Sequence, residues 1–514
     1  MFPGQTAETR PDHPAVIMAG TGEIVTHAQL DAHSNRIAQY LHAQGLRRGD
    51  HCAVLMENVP QFFAAMWAGL RSGLHVTPVN RYLPPADVAY ILEDSGAQAV
   101  MTSPGKAESI QKLGDRAPGC RLRLCLGGAA EGLVDLDREL AALPDAPLAE
   151  QPMGAFMFYS SGTTGRPKGI KRPLTEQWIG HGMLQTASLA AYGFSEDTVY
   201  LSPAPIYHAA PCAWSIGVQA LGGTVVMMER FDEEAALRLI ERHRITHSQW
   251  VPTMFVRMLK LPEAVRRRYD LSSHQMAVHA AAPCPVEVKR QMIDWWGPIL
   301  LEYYGASEGN GRTSLDSAEW LQKPGSVGRA KSGILHICDD EGTELPPGET
   351  GLIYFEQPER PFSYHNDPDK TLAAQHPVHP NWTALGDVGY VDADGYLFLT
   401  DRKSFMIISG GVNIYPQQIE DVLVLHPKVA DVGVIGVPND EFGEEVKAVV
   451  QAADGVTPDA ALAEELIAFA RERLAGYMVP RSVDFWAELP RLPTGKLYKN
   501  ELRAPYWEGR SQRI

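Results

Sequence analysis

Along the first hundred residues the apolar positions change period several times. Leu30, Ile37, Leu41 and Leu46 recur at roughly helical spacing, and Gly45 stands where a helix would stop. The run CAVLM at 52–56 is apolar throughout and reads as a buried strand. A second helical pattern over 61–70 stops near Gly73, residues 75–80 read as extended, and Pro84 and Pro85 open a further helix through Leu92. Helix alternating with strand predicts an α/β fold with largely parallel sheets. Further along, DDEGTELPPGETG at 339–351 and DADG at 392–395 have the composition of hairpin turns, which brings in antiparallel strands and makes mixed α/β the better description. Residues 458–474, with Leu462, Leu466, Ile467 and Ala470 on one face, predict an amphipathic helix in a smaller domain.

Composition narrows the function classes. The 514 residues are 45% apolar and 21% charged, an ordinary globular mixture long enough for one large and one small domain. With 46 Lys plus Arg against 62 Asp plus Glu, the net charge of −16 disfavours nucleic acid as a partner. The first residues lack the pattern of a signal or transit peptide, and no run of about 18 apolar residues occurs, so the expectation is a cytoplasmic protein without a transmembrane segment. Six scattered cysteines show no metal-ligand spacing and are expected to be reduced and mostly buried.

Four segments carry candidate chemistry. In YSSGTTGRPKG at 159–169, hydroxyls, glycines and Lys168 crowd together after an apolar run, which suits a polyphosphate: glycines admit backbone amides to anionic oxygens and the lysine adds a mobile charge. The spacing is not that of a P-loop. In LEYYGASEG at 301–309, Tyr303 and Tyr304 offer faces for a purine, while Ser307 and Glu308 offer a hydroxyl and a carboxylate able to hold magnesium on ATP. The stretch 386–420 holds Asp387, whose carboxylate can accept from both ribose hydroxyls, together with Arg402 and the glycine pair Gly410 and Gly411. The fourth is PTGK at 493–496.

Together and in this order, the segments resemble the adenylate-forming superfamily of acyl-CoA synthetases, aryl-CoA ligases, luciferases and peptide-synthetase adenylation domains, over nearly the whole chain. The resemblance implies a large N-terminal multi-subdomain α/β domain with mixed and parallel sheets over 1–401, joined by a hinge near 402–405 to a small, mobile C-terminal α+β domain over 402–514. It implies that Ser160, Ser161, Gly162, Thr163, Thr164, Gly165 and Lys168 grip the ATP phosphates, with Thr164 and Glu308 near Mg2+. Ala281, Ala282 and Pro283 with Tyr304, Gly305 and Ser307 would frame the nucleotide, and Asp387 and Arg402 would hold its ribose. Lys496 would reach the substrate carboxylate and the α-phosphate, where a preorganised cation is worth roughly 100- to 1000-fold in rate. For thioester formation the small domain would turn so that Ser409, Gly410 and Gly411 line the path of the coenzyme A thiol. His208, in PAPIYHAAP, matches a gating position between the carboxylate pocket and that path; the bland alternative is a satisfied core histidine. With Trp214, Val218, Trp250, Met254, Ala280 and Gly305 near the expected acyl pocket, and no aspartate between 203 and 214 to pair with an amino group, the implied substrate is an apolar carboxylic acid.

The resemblance has a gap at the hinge. Family members commonly read DRKKDMIISGG, whereas this chain reads DRKSFMIISGG, with Ser404 at the hinge position and Phe405 in place of an aspartate. Ser307 for the more usual threonine keeps its hydroxyl. The leading expectation is a ligase that uses ATP, Mg2+ and coenzyme A in two steps. An enzyme confined to one half-reaction is the alternative that the altered hinge motivates. A non-catalytic nucleotide- or acyl-binding protein, a loader of carrier proteins and a luciferase-like oxygenase are further readings, and a homodimer is compatible with all of them.

Overall fold

The computed structural model describes residues 2–160, 167–181, 184–491 and 497–508. The chain forms two compact units. One comprises Met1–Trp250, Leu261–Ala277 and Pro361–Thr371; the other comprises Val251–Lys260, Val278–Arg360 and Leu372–Ile514.

The first unit is the α/β part that the alternating pattern predicts. Its wholly parallel sheet runs in the order Val134–Asp135, Leu122–Cys125, Ala97–Thr102, His51–Leu55, His75–Pro78, Ala155–Phe156. His51–Leu55 is buried at every position, which explains why its sequence shows no alternation. The predicted helix over 30–46 is His27–Ala43, started by a capping box between Thr26 and Gln29. Leu46, read as part of that helical pattern, lies beyond its end because Gly45 adopts φ +92° and turns the chain away; Leu46 is buried nonetheless. The helix Pro60–Arg71 is apolar around most of its circumference and only Gln61 escapes burial, so it is a core helix packed on all sides. A second sheet of this unit aligns Pro14–Met18, Thr224–Met227, Val199–Ser202 and His247–Trp250 in parallel. A small antiparallel sheet joins Phe158–Ser160, Lys168–Lys171 and Ser363–Tyr364.

The second unit carries the antiparallel strands. Leu300–Gly305, Arg312–Asp316, Ser326–Ser332, Leu397–Arg402, Trp382–Val391, Gly351–Glu356 and Ile334–Cys338 pair in that order, each antiparallel to the next. Both predicted hairpin turns are present. At 392–395 the Asp392 carboxylate accepts from the backbone N–H of Asp394 and Tyr396, and Gly395 takes φ +80°. At 339–351 the Asp339 carboxylate accepts from the N–H of Glu341 and Thr343. After residue 402 follow the strands Ile407–Ser409, Val412–Ile414, Val429–Asn439, Gly443–Ala452 and Ser482–Phe485, with the helices Pro416–Leu423 and Ala460–Arg471. Asp459 caps the latter helix through the Leu462 N–H, and Leu462, Leu466 and Ala470 are its buried stripe, as the periodicity predicts. All six cysteines are free, and five of them are buried.

Candidate functional site

In the first unit, antiparallel pairing sets Ser160 opposite Lys168, the two paired residues nearest the glycine-rich segment in sequence. Both arms are tied down: the Tyr159 hydroxyl donates to Asp94 at 2.7 Å, and the Tyr90 hydroxyl donates to the Pro167 carbonyl at 3.2 Å. Burial, with Asp94 alongside, keeps the Tyr159 phenol protonated well beyond its ordinary range. The Lys168 ammonium stands 5.0 Å from the centre of the Tyr364 ring. Ser161, Gly162, Thr163, Thr164 and Gly165, the expected phosphate-gripping residues, lie outside the described residues.

In the second unit, three predicted residues meet. Asp387 and Arg402 face each other across neighbouring strands. Arg402 donates through Nε to Asp387 Oδ1 at 2.9 Å, and the Tyr304 hydroxyl donates to Oδ2 at 2.8 Å. Among the described residues each carboxylate oxygen therefore receives one bond and keeps acceptor capacity for a ligand hydroxyl. Burial first, then Asp387, raises the Tyr304 phenol well above its usual range. For Arg402 burial opposes the charge, but Asp387, Tyr304 and Glu308 outweigh it, so the guanidinium stays charged. Glu308 is thus close enough to act on both, and it is itself buried. Gly305 leads out of the strand Leu300–Gly305 with Ser307 just beyond it.

Ala281 adopts φ +77°, a left-handed conformation that an L-residue with a side chain rarely takes, at a cost of order 1–3 kcal/mol. It opens the Ala281–Ala282–Pro283 run, just after the strand Met276–His279. The run was singled out by resemblance alone, and no composition signal could have disclosed its strained backbone.

His208 occupies the N-cap position of the helix Ala209–Leu221 without making a side-chain cap bond. Among the described residues its buried Nε2 has no hydrogen-bond partner, and burial lowers its pKa to about 3, so the imidazole is neutral. Val218 is fully buried on the same helix, and Trp214 packs on Tyr192 and Phe194 with ring centres 6.4 and 5.5 Å apart. Trp250 is buried and donates from its indole to Ser248 Oγ at 2.6 Å. These four residues belong to the first unit. Met254 and Ala280, both buried, belong to the second.

At the expected hinge, Lys403 N–H donates to the Gly386 carbonyl, the Lys403 amine pairs with Asp340 at 2.6 Å, and Phe405 N–H closes a turn onto the Arg402 carbonyl, with Ser404 inside that turn. The Phe405 ring lies 5.5 Å from the amine of Lys499, which pairs with Glu420 at 2.8 Å. Ser409, Gly410 and Gly411 form the tight turn between Ile407–Ser409 and Val412–Ile414; Gly410 and Gly411 take φ +57° and +81°, and a side chain at Gly411 would meet nothing within 4 Å. Lys496 lies outside the described residues, but its flanks are paired: Arg491 bridges to Leu497, and Tyr498 N–H donates to the Pro490 carbonyl at 2.7 Å. A cavity of about 290 Å³ lined by Tyr390, Phe398, Tyr415 and Tyr477 among others shares no residue with the Tyr304–Asp387–Arg402 cluster.

Among the described residues no group of three or more His, Cys, Asp or Glu could hold a metal ion, and no helix is long and apolar enough to cross a membrane. Residues 4–360 match the family described as AMP-binding enzyme, and residues 418–496 match the AMP-binding enzyme C-terminal domain. The chain is 35% identical over 512 residues to a feruloyl-CoA synthase of an Amycolatopsis species, covering 98% of each chain. It is 31% identical over 509 residues to a long-chain-fatty-acid–CoA ligase of Mycobacterium tuberculosis, covering 98% of this chain and 97% of the relative. Among solved structures, the o-succinylbenzoate CoA synthetase of Bacillus subtilis, in complex with its acyl-adenylate intermediate, superposes with a TM-score of 0.79 at 27% identity, covering 99% and 98% of the two chains.

Proposed function

The chain belongs to the AMP-binding enzymes, the adenylate-forming superfamily of acyl-CoA synthetases, and on that premise we propose that it activates an apolar carboxylic acid with ATP and passes the acyl group to coenzyme A. The observation that carries this reading is the Asp387 carboxylate, oriented by Tyr304 and Arg402 with one lone pair on each oxygen still able to accept. Such a preset acceptor pair fits the two hydroxyls of a ribose.

In the first step the acid's carboxylate attacks the α-phosphorus of ATP and pyrophosphate leaves. No protein nucleophile is required, so the catalyst's task is alignment and charge stabilisation. Lys168 and the hydroxyls and amides of 160–165 take the outgoing phosphates, and Lys496 takes the charge growing at the α-phosphate. Magnesium enters as part of the nucleotide. The donor set on the protein side, the Thr164 hydroxyl and the Glu308 carboxylate, is all oxygen and too small to hold the ion without phosphate ligands, which fits a metal carried by ATP. In the second step the thiol of coenzyme A attacks the acyl carbonyl and AMP leaves. The small domain beyond residue 402 turns between the steps to bring the Ser409–Gly411 turn to the thiol path. His208, neutral and with an unmet Nε2, is the residue that would gate the carboxylate pocket and that path.

The deciding experiment pairs two assays over a panel of apolar acids, cinnamic and medium- to long-chain fatty acids included: pyrophosphate release with ATP alone, and thioester formation by mass spectrometry with ATP and coenzyme A. Both signals from one acid establish the two-step ligase. Pyrophosphate without thioester, or thioester only from supplied acyl-adenylate, assigns the enzyme to one half-reaction and points to Ser404 and Phe405.

A further inference from the structure

Lys289 lies one turn into the helix Val286–Trp296 and is fully buried, a rare place for an ammonium. Its amine donates to Glu302 Oε2 at 2.5 Å and stands 5.0 Å from the centre of the buried Trp320 ring. Glu302 is buried too, on the strand Leu300–Gly305, and among the described residues this is the only hydrogen bond that either charged side chain makes. The two partners stand beside the two walls of the proposed nucleotide site. Glu302 precedes Tyr304 by two positions on one strand, so both side chains leave from the same face. Lys289 follows the Ala281–Ala282–Pro283 run, which enters the helix at Val286 through Pro285 at the N-cap. Pro283 and Pro285 leave that connection little backbone freedom, so the run moves with the helix.

We propose that Lys289 and Glu302 are positioning residues for the adenine ring: their pair fixes the placement of the 281–283 run relative to Tyr304. The proposal rests on the nucleotide site assigned above. Taking two charges out of water offsets most of their attraction, so apolar residues of similar volume would hold the fold as well or better. Such residues would not supply a fixed approach of helix to strand. Apolar contact is non-directional, whereas an ammonium–carboxylate bond sets both separation and direction. The start of the run is referred to the same group, because His279, just before Ala280, places Nε2 3.8 Å from Glu302 Oε2. A left-handed backbone such as that at Ala281 persists only where its surroundings hold it, and the two contacts with Glu302 hold the chain on either side of it.

The test measures AMP binding by calorimetry, and thermal melting without nucleotide, on the unaltered chain and three variants. Lys289→Met with Glu302→Leu removes the pair and keeps the volume. Lys289→Met alone removes the ammonium; burial already raises the Glu302 pKa, against the pull of Lys289, so the remaining carboxyl can take up a proton. Glu302→Gln keeps an acceptor for the Lys289 amine. The double variant is expected to melt no lower than the unaltered chain, yet to bind AMP roughly tenfold more weakly, the scale of one misaligned hydrogen bond. Lys289→Met should show the same loss of affinity. Glu302→Gln should melt lower, because a buried ammonium loses its counter-ion, but bind AMP nearly as well as the unaltered chain. Affinity and stability then move in opposite directions, which a purely structural pair would not produce. Unchanged AMP affinity in the two proteins that lack the bond overturns the proposal, as does a Glu302→Gln variant that binds as weakly as they do, or failure of both of those proteins to fold. If the unaltered chain binds neither AMP nor ATP, the nucleotide site itself is refuted before any variant is compared.

Discussion

Arg402 donates through Nε to Asp387 Oδ1 at 2.9 Å from the directly opposed position on the neighbouring strand. The antiparallel ladder, rather than a flexible loop, sets this pair, and the Tyr304 hydroxyl holds the other carboxylate oxygen at 2.8 Å. A carboxylate fixed in this way loses little freedom when it accepts from a ligand.

Asp387→Ala should therefore do two things. It removes the proposed ribose acceptor, raising the KM for ATP by roughly 10- to 100-fold, and it strips the Tyr304 hydroxyl and Arg402 Nε of their common partner, costing about 1–3 kcal/mol of stability. Steady-state kinetics and thermal melting measure the two effects separately. An unchanged KM for ATP would remove Asp387 from the nucleotide site.

Lys496→Ala should reduce pyrophosphate release by roughly 100- to 1000-fold, the usual scale for a preorganised charge at a developing anion. Conversion of supplied acyl-adenylate to thioester should be largely retained. Equal loss of both activities would refute its assignment to the first step.

Acid should destabilise the protein steeply. Burial is the leading cause that lowers His51, His208 and His274 to about 3 and His27, His75 and His247 to about 4. These side chains are neutral in the folded state but take up protons near 6.5 when unfolded. Between about pH 4 and 6.5 the unfolded chain thus binds more protons, and stability falls as pH falls, by at most about 1.4 kcal/mol per pH unit for each such histidine. Melting temperatures at pH 7.5, 6.5 and 5.5 should drop with growing steepness. A flat profile would mean that these imidazoles are solvated.

Lys499→Met should cost about 3 kcal/mol or more in the stability of the region beyond residue 405, because Glu420 would stay buried with its charge unpaired. Phe405→Ala, which removes only the ring beside the Lys499 amine, should cost less, about 0.5–1 kcal/mol from the cation–ring contact together with the lost packing. The order of the two effects in denaturant titrations checks the assignment. If the ring proves the more important of the pair, Phe405 supports the proposed hinge by packing rather than through Lys499.

What the sequence determined by itself is local or ordered along the chain. Hydrophobic period distinguished the buried strand, read at 52–56 and observed at His51–Leu55, from the helices on either side of it, and Asp and Gly at 392–395 specified a turn, because these choices depend on neighbours within a few residues. The order of the four motifs was enough to identify the superfamily and to single out Tyr304, Asp387 and Arg402 as candidates for the nucleotide site. Only the tertiary structure decided that these three share one carboxylate, since Tyr304 and Asp387 are joined through the register of strands far apart in sequence. The same holds for the left-handed backbone at Ala281, the unmet nitrogen of His208, and the reach of Lys289 to Glu302. Each depends on what long-range packing places beside a residue, and a one-dimensional pattern carries no record of those neighbours until the chain has folded.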